Sequence, residues 1–191
     1  MLDLCRELSR RPAGLYTPVL RTGARMSLSM MCLGRHWNAK TYRYEATRSD
    51  FDGRPVEPLP EPLRALAQRA ALAADFPIEP DLCIVNFYGQ GAKLGLHQDK
   101  DETPQALAAG IPVVSLSVGD RARFRVGGFR RQDPVREILL SSGDAFVMGG
   151  ESRLRYHGVP AVLPGTAPAA LGFQGRFNLT FRQYALRGSD G

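Results

Sequence analysis

GRFNLTFRQY, residues 175–184, alternates without a break: Arg176, Asn178, Thr180 and Arg182 fall in one set, and Phe177, Leu179 and Phe181 in the other. Successive side chains of a β-strand point to opposite faces, so the segment reads as a strand with one apolar, packed face and one strongly polar face. A solvated surface is one reading of the polar face. The other is an anion site. Arg176 and Arg182 lie roughly 20 Å apart along an extended strand. Leaning inward, they would hold a short dicarboxylate between two forks that match carboxylate geometry.

The same two-residue period runs through the chain after residue 78. LCIVNFY (82–88), KLGLHQD (93–99), PVVSLSV (112–118), RARFRV (121–126), EILL (137–140), AFVMGG (145–150) and LRYHGV (154–159) read as short strands. Asn86 and Tyr88 share a face of the first. Gly119-Asp120 fits a two-residue hairpin turn. Upstream, a short helix is expected at about 2–10, and RSDFDGRPVEPLP (48–60) is a loop rich in turn formers. Pro62 then opens a helix in EPLRALAQRAALAADF, with Leu63, Leu66, Ala67, Ala70 and Ala74 on one face, that stops before Pro77. No repeat, low-complexity tract or linker divides the chain. Helices first and many short strands after them predict one α+β domain, 1–191, with a sandwich or jelly-roll core.

At 191 residues, 43% hydrophobic and 23% charged, the composition is that of an ordinary globular domain. No apolar run approaches the ~18 residues of a membrane span, and MLDLCRELSRR lacks the apolar stretch of a signal peptide. Cys5, Cys32 and Cys83 are odd in number and far apart. They make neither a CxxC metal site nor a disulfide framework, and point to a reducing cytoplasm. The net charge of +6 comes from 25 basic residues, 22 of them arginine, against 19 acidic ones. A basic surface suits a polyanion such as nucleic acid. A GC-rich coding genome yields the same arginine excess, so charge alone does not choose.

The chain has three histidines, His36, His97 and His157. In LHQDKDE (96–102), His97 and Asp99 would present an imidazole and a carboxylate side by side on one strand face. A third ligand has to come from another strand, with His36 and His157 the histidine candidates. His157 sits in RYHGVP (155–160), beside a glycine that permits close approach. Two histidines and a carboxylate on one side of a metal form the facial triad of non-haem Fe(II) oxygenases, which leaves positions open for co-substrate and dioxygen. An HxD tripeptide by itself is a weak signal. Its company is more specific.

NFYGQGAKLGLHQDKDE (86–102), GDAFVMGGESRLRYHG (143–158) and RFNLTFRQY (176–184), in this order, resemble the AlkB family of Fe(II)- and 2-oxoglutarate-dependent dioxygenases, its bacterial DNA-repair branch in particular. The likeness runs from about residue 25 to 184. It implies a double-stranded β-helix (jelly-roll) core at roughly 82–184, flanking N-terminal helices, and a nucleotide-recognition lid at roughly 25–60. Carried over residue by residue, His97, Asp99 and His157 are the Fe(II) ligands, and Asn86, Tyr88, Arg176, Asn178 and Arg182 bind 2-oxoglutarate. Asp101 contacts the exocyclic amine of the methylated base, and Arg131, in GGFRRQDP (127–134), lies on the substrate side. Trp37 and a tyrosine of HWNAKTYRY (36–44) are the lid aromatics, with Tyr42 favoured over Tyr44.

The resemblance implies oxidative demethylation of 1-methyladenine and 3-methylcytosine in DNA, consuming O2 and 2-oxoglutarate and releasing formaldehyde. Single strands are favoured, because a duplex base must first be flipped out. A monomer is expected, with no membrane partner. Oxidation of RNA or a protein side chain, and an inactive nucleic-acid-binding module, are the rival readings. Three departures stand out: Met148 occupies a position where close relatives often carry tryptophan, the loop ETPQALAAGIP (102–112) is slightly lengthened near the substrate side, and the chain begins late in the family's usual N-terminal segment. Arg121, Arg123 and Arg125 share one face of their strand. Phosphate contact and a merely solvated face are equally good readings of that stripe.

Overall fold

The computed structural model describes residues 1–186. In chain order the elements are α1 (Leu2–Ser9), β1 (Ser29–Leu33), β2 (His36–Asn38), β3 (Arg43–Glu45), α2 (Glu61–Leu72), β4 (Leu82–Tyr88), β5 (Leu94–His97), α3 (Pro104–Ala108), β6 (Val113–Gly119), β7 (Arg121–Val126), β8 (Arg136–Leu140), β9 (Ala145–Met148), β10 (His157–Leu163) and β11 (Arg176–Arg182). The strands form a five-stranded sheet ordered β1-β4-β11-β6-β9, a four-stranded sheet ordered β5-β10-β7-β8, and the small hairpin β2-β3. Every strand pairing is antiparallel. This is the jelly-roll arrangement expected from the strand count.

Alternation explains the layering. One face of the five-stranded sheet, with Met31, Cys83, Val85, Val114, Leu116, Phe177, Leu179 and Phe181, packs against Leu2, Cys5 and Leu8 of α1 and Leu63, Ala67 and Ala71 of α2. The other face turns toward the four-stranded sheet, where Met30, Cys32, Ile84 and Tyr88 share a second apolar cluster with Ala122, Phe124, Leu140 and Val159. All seven residues of β11 are buried. Its polar set therefore faces the interior between the sheets, and the solvated-surface reading of Arg176, Asn178, Thr180 and Arg182 is excluded.

Four expectations need correction. Gly119-Asp120 is not a hairpin: β6 pairs with β11 and β9 while β7 pairs with β10 and β8, so the dipeptide carries the chain from one sheet to the other. Gly119 has φ +103°, and a Cβ there would lie 2.3 Å from the Gly175 carbonyl oxygen. The Asp120 carboxylate fixes this corner by accepting from the backbone N–H groups of Thr166, Ala167 and Gly175 at 2.8–2.9 Å. Helix α2 ends at Leu72, well before Pro77. The segment 102–112 is not a plain loop: it contains α3, capped by Thr103, whose Oγ1 accepts from Ala106 N–H. The strand expected at 154–159 starts only at His157 and runs on to Leu163.

No helix among the described residues is long and apolar enough to cross a membrane. The three cysteines are buried and unpaired.

Candidate metal centre and co-substrate cleft

His97 ends β5 and His157 begins β10, and the two are direct cross-strand partners with ring centroids 4.4 Å apart. The strands can approach this closely because residue 158 is glycine: a Cβ there would meet the Leu94 carbonyl oxygen at 2.8 Å. Asp99 lies two residues beyond the end of β5, off the strand that the HxD period suggested. It nonetheless turns back between the rings, with Oδ1 3.6 Å from His97 Nε2 and Oδ2 3.6 Å from His157 Nε2. One ligand atom from each of the three lies within 4.8 Å of the others, and they form the metal-capable group among the described residues. His36 is elsewhere, buried in the β2 region with Nε2 on Asp50 Oδ1 at 2.5 Å.

The donor set fits a metal ion. His97 Nδ1 lies 2.9 Å from the Gly95 carbonyl and His157 Nδ1 lies 3.1 Å from the Arg155 carbonyl. Carbonyls only accept, so each ring donates through Nδ1 and turns Nε2 toward Asp99, the nitrogen a metal would take. Burial would raise the Asp99 pKa, but Arg182 and both imidazoles outweigh it and hold the carboxyl well below its usual range. It stays an anion.

A cleft runs from this triad along the polar face of β11. Its lining includes Asn86 and Tyr88 from β4, Ser115 from β6, Phe124, Phe146 and Met148 from the neighbouring strands, and Asn178, Thr180 and Arg182. Register explains the grouping, since Asn178 lies opposite Asn86 on one side and Ser117 on the other, and Arg176 lies opposite Tyr88. The two arginines are held very differently. Arg182 donates Nη2–H to Asp99 Oδ2 at 2.7 Å and places Nε 3.2 Å from Glu102 Oε1. Arg176, 1% exposed, donates only to neutral oxygens, the Asp120 carbonyl at 3.2 Å and Ser117 Oγ at 2.6 Å, while its Nε has no partner. It pairs with no carboxylate among the described residues. Burying a guanidinium without a salt-bridge partner is costly, and burial lowers its pKa from the ordinary value although Tyr88 and the Asp144 carboxylate act against that shift from beyond ion-pair distance.

Two residues of this centre were visible in the quoted motifs but given no role: Glu102 and Arg153. Arg153 places Nη2 2.9 Å from Glu102 Oε1 and donates to the Asp99 carbonyl at 2.5 Å and the Ile111 carbonyl at 2.8 Å. Glu102 therefore bridges two buried arginines, and Arg153 holds the backbone of the metal-site aspartate. The signal was the third carboxylate of LHQDKDE, immediately after the residue assigned to the base.

The expected substrate-side residues Trp37, Tyr42, Asp101 and Arg131 are not among those that line the cleft. Trp37, on β2, donates Nε1–H to Asp101 Oδ2 at 2.8 Å. Tyr42, at φ +57°, is 42% exposed and its ring lies 5.7 Å from that of Trp37. Tyr44 is buried, edge-on to Tyr184 at 5.8 Å. Arg131 donates to the Leu96 carbonyl at 2.6 Å and lies over the Tyr156 ring.

The chain matches the family model described as the 2OG-Fe(II) oxygenase superfamily over residues 1–182. Among curated proteins it is similar to the alpha-ketoglutarate-dependent dioxygenase AlkB of Escherichia coli (strain K12), 45% identical over 165 residues, covering 84% of this chain and 73% of that protein. It is also similar to an Arabidopsis thaliana protein named DNA N(6)-methyladenine demethylase ALKBH1D, 39% identical over 206 residues, covering 96% of this chain but 46% of that protein. The chain thus spans less than half the length of that plant relative. Among solved structures, that of OsALKBH1 superimposes with a TM-score of 0.88 at 40% identity, covering 94% of this chain and 88% of the other. Motifs, donor set and overall likeness agree, and the chain belongs to the 2OG-Fe(II) oxygenase superfamily and, within it, to the AlkB family.

Proposed function

We propose that this protein is an Fe(II)- and 2-oxoglutarate-dependent dioxygenase that removes N-methyl groups from bases in DNA, single strands preferentially. The observation that carries the reading is the pairing, on one inward face, of the His97–Asp99–His157 donor set with Arg176, a buried cation whose hydrogen bonds go only to neutral oxygens. His97, Asp99 and His157 would hold Fe(II), which with 2-oxoglutarate and O2 supplies the oxidising chemistry.

The chain's own part is binding and exclusion. Arg176 takes the far carboxylate of 2-oxoglutarate, with Tyr88 beside it. Asn86, Asn178 and Arg182 orient the keto-acid end. Asp101, Trp37 and Tyr42 receive the base, the rings by stacking worth about 1–3 kcal/mol, and Arg131 supports the substrate side. The hairpin β2-β3 and its flanks, roughly 25–60, act as a lid over a single domain. Methylation at N1 of adenine or N3 of cytosine makes the base cationic, and the Asp101 carboxylate favours such a lesion over a neutral base. N6-methyladenine, the substrate in the plant relative's name, is neutral, and its preference would speak against that role. The free cysteines fit a reducing cytoplasm, and a monomer suffices for the site.

Succinate formation tests the reading. With Fe(II) and 2-oxoglutarate it should rise several-fold when a single strand bearing 1-methyladenine is added, and not with the unmethylated strand. Equal stimulation by an RNA oligomer or a methylated peptide would favour the rival substrates.

A further inference from the structure

The outward face of β7 carries a column of cations that the cleft does not use. Ala122 and Phe124 point into the core, so Arg121, Arg123 and Arg125 point to solvent, and the side chains of the last two are 56% and 46% exposed. Neighbours two residues apart on a strand are separated by roughly 6.7 Å. Three like charges in a row repel unless acids are interleaved among them. The cross-strand positions here are instead Gly158, Ala161 and Leu163 on β10, and Leu139 and Glu137 on β8. Among the described residues Glu137 alone answers the column, meeting Arg123 Nη1 and Arg125 Nε at 3.1 Å each. The Arg121 guanidinium has no partner among the described residues.

The column leads to the metal centre. Beyond β7 the chain is tied to the residue before His157: Gly127 N–H donates to the Tyr156 carbonyl at 2.7 Å, and Tyr156 N–H to the Gly128 carbonyl at 2.9 Å. Arg155 donates to the Gly127 carbonyl and lies 5.1 Å over the ring of Phe129, which is 54% exposed. Arg131 reaches the carbonyl of Leu96, the residue before His97. A basic path with one open aromatic ring therefore runs from Arg121 to the neighbourhood of both histidines.

We propose that this face of the four-stranded sheet is a second contact surface for the single strand whose methylated base enters the cleft. Phosphates meet the arginine column and a flanking base stacks on Phe129. The surface rests on the function proposed above and extends it. Nucleic acid is the occupant because it offers both a repeating anion and stackable rings.

The test compares the whole protein with the triple variant Arg121→Gln, Arg123→Gln, Arg125→Gln, using 1-methyladenine in a trinucleotide and in a single strand of roughly 20 nucleotides. The triple variant should show a KM for the long strand raised about tenfold at low salt. The slope of log affinity against log salt should fall by about 2, with turnover of the trinucleotide unchanged. Glu137→Gln, which unmasks Arg123 and Arg125, should tighten the long strand. Exposed pairs contribute little to stability, so all should melt alike. Identical KM and salt slope in the triple variant and the wild type, both active, overturn the surface. A wild type that demethylates neither strand overturns the reading of the cleft, and the surface with it.

Discussion

At the scale of single residues, the centre is an alternation of buried charges: Asp99, Arg182, Glu102, Arg153, each in contact with the next. Removing one member of such a set leaves its neighbour uncompensated, which costs about 3–5 kcal/mol. Glu102→Gln should accordingly lower the melting midpoint by roughly 6–20 °C and raise the KM for 2-oxoglutarate, because Arg182 loses the group that aims it. An unchanged midpoint would mean that Glu102 braces nothing. Asp101→Ala should cut demethylation of methylated bases about 10- to 100-fold, the scale of a lost hydrogen bond to a charged group. Succinate formation without nucleic acid should persist, and equal loss of both would remove Asp101 from base recognition. His97, Asp99 and Arg182 were legible in the sequence because each sits in a short patterned motif. The Glu102–Arg153 contact was not, since it joins positions 51 apart through a cross-chain approach that no local period encodes.

At the scale of elements, strands with strict alternation could be read to within a residue or two, as at β4, β7 and β11. Sheet membership could not. Gly119-Asp120 has the composition of a hairpin turn, and what overrides it is tertiary: the Asp120 carboxylate collects three backbone N–H groups from segments 46–55 residues away. Asp120→Ala should destabilise by about 3 kcal/mol, the sum of three modest hydrogen bonds, measurable by urea unfolding; a change below about 0.5 kcal/mol, typical of a neutral surface site, would sink the corner's importance. The hairpin β2-β3 escaped the sequence because its strands have only three residues each. Trp37→Phe keeps a ring on that hairpin and deletes the donor to Asp101. KM for a methylated strand should rise about tenfold with the KM for 2-oxoglutarate unmoved, and a shift confined to the co-substrate would place Trp37 in the wrong role.

At the scale of the whole molecule, two sheets enclose a polar interior that contains a metal donor set and the buried Arg176, and ligands that engage both should bind the folded chain only. Mn(II), which suits carboxylate oxygens such as those of Asp99 and 2-oxoglutarate, together with 2-oxoglutarate should raise the melting midpoint. At about a hundred times Kd the gain is about 2.7 kcal/mol, or roughly 5–10 °C. His157→Ala should abolish the Mn(II) part, whereas a full shift in that variant would exclude His157 as a ligand. The most direct measurement is mass spectrometry of a single-stranded oligomer bearing 1-methyladenine or 3-methylcytosine, incubated with protein, Fe(II), ascorbate and 2-oxoglutarate, with each component omitted in turn. Loss of the methyl group is expected only in the complete mixture, with formaldehyde and succinate formed in step. An intact methylated strand, with iron demonstrably bound and 2-oxoglutarate consumed, would contradict it.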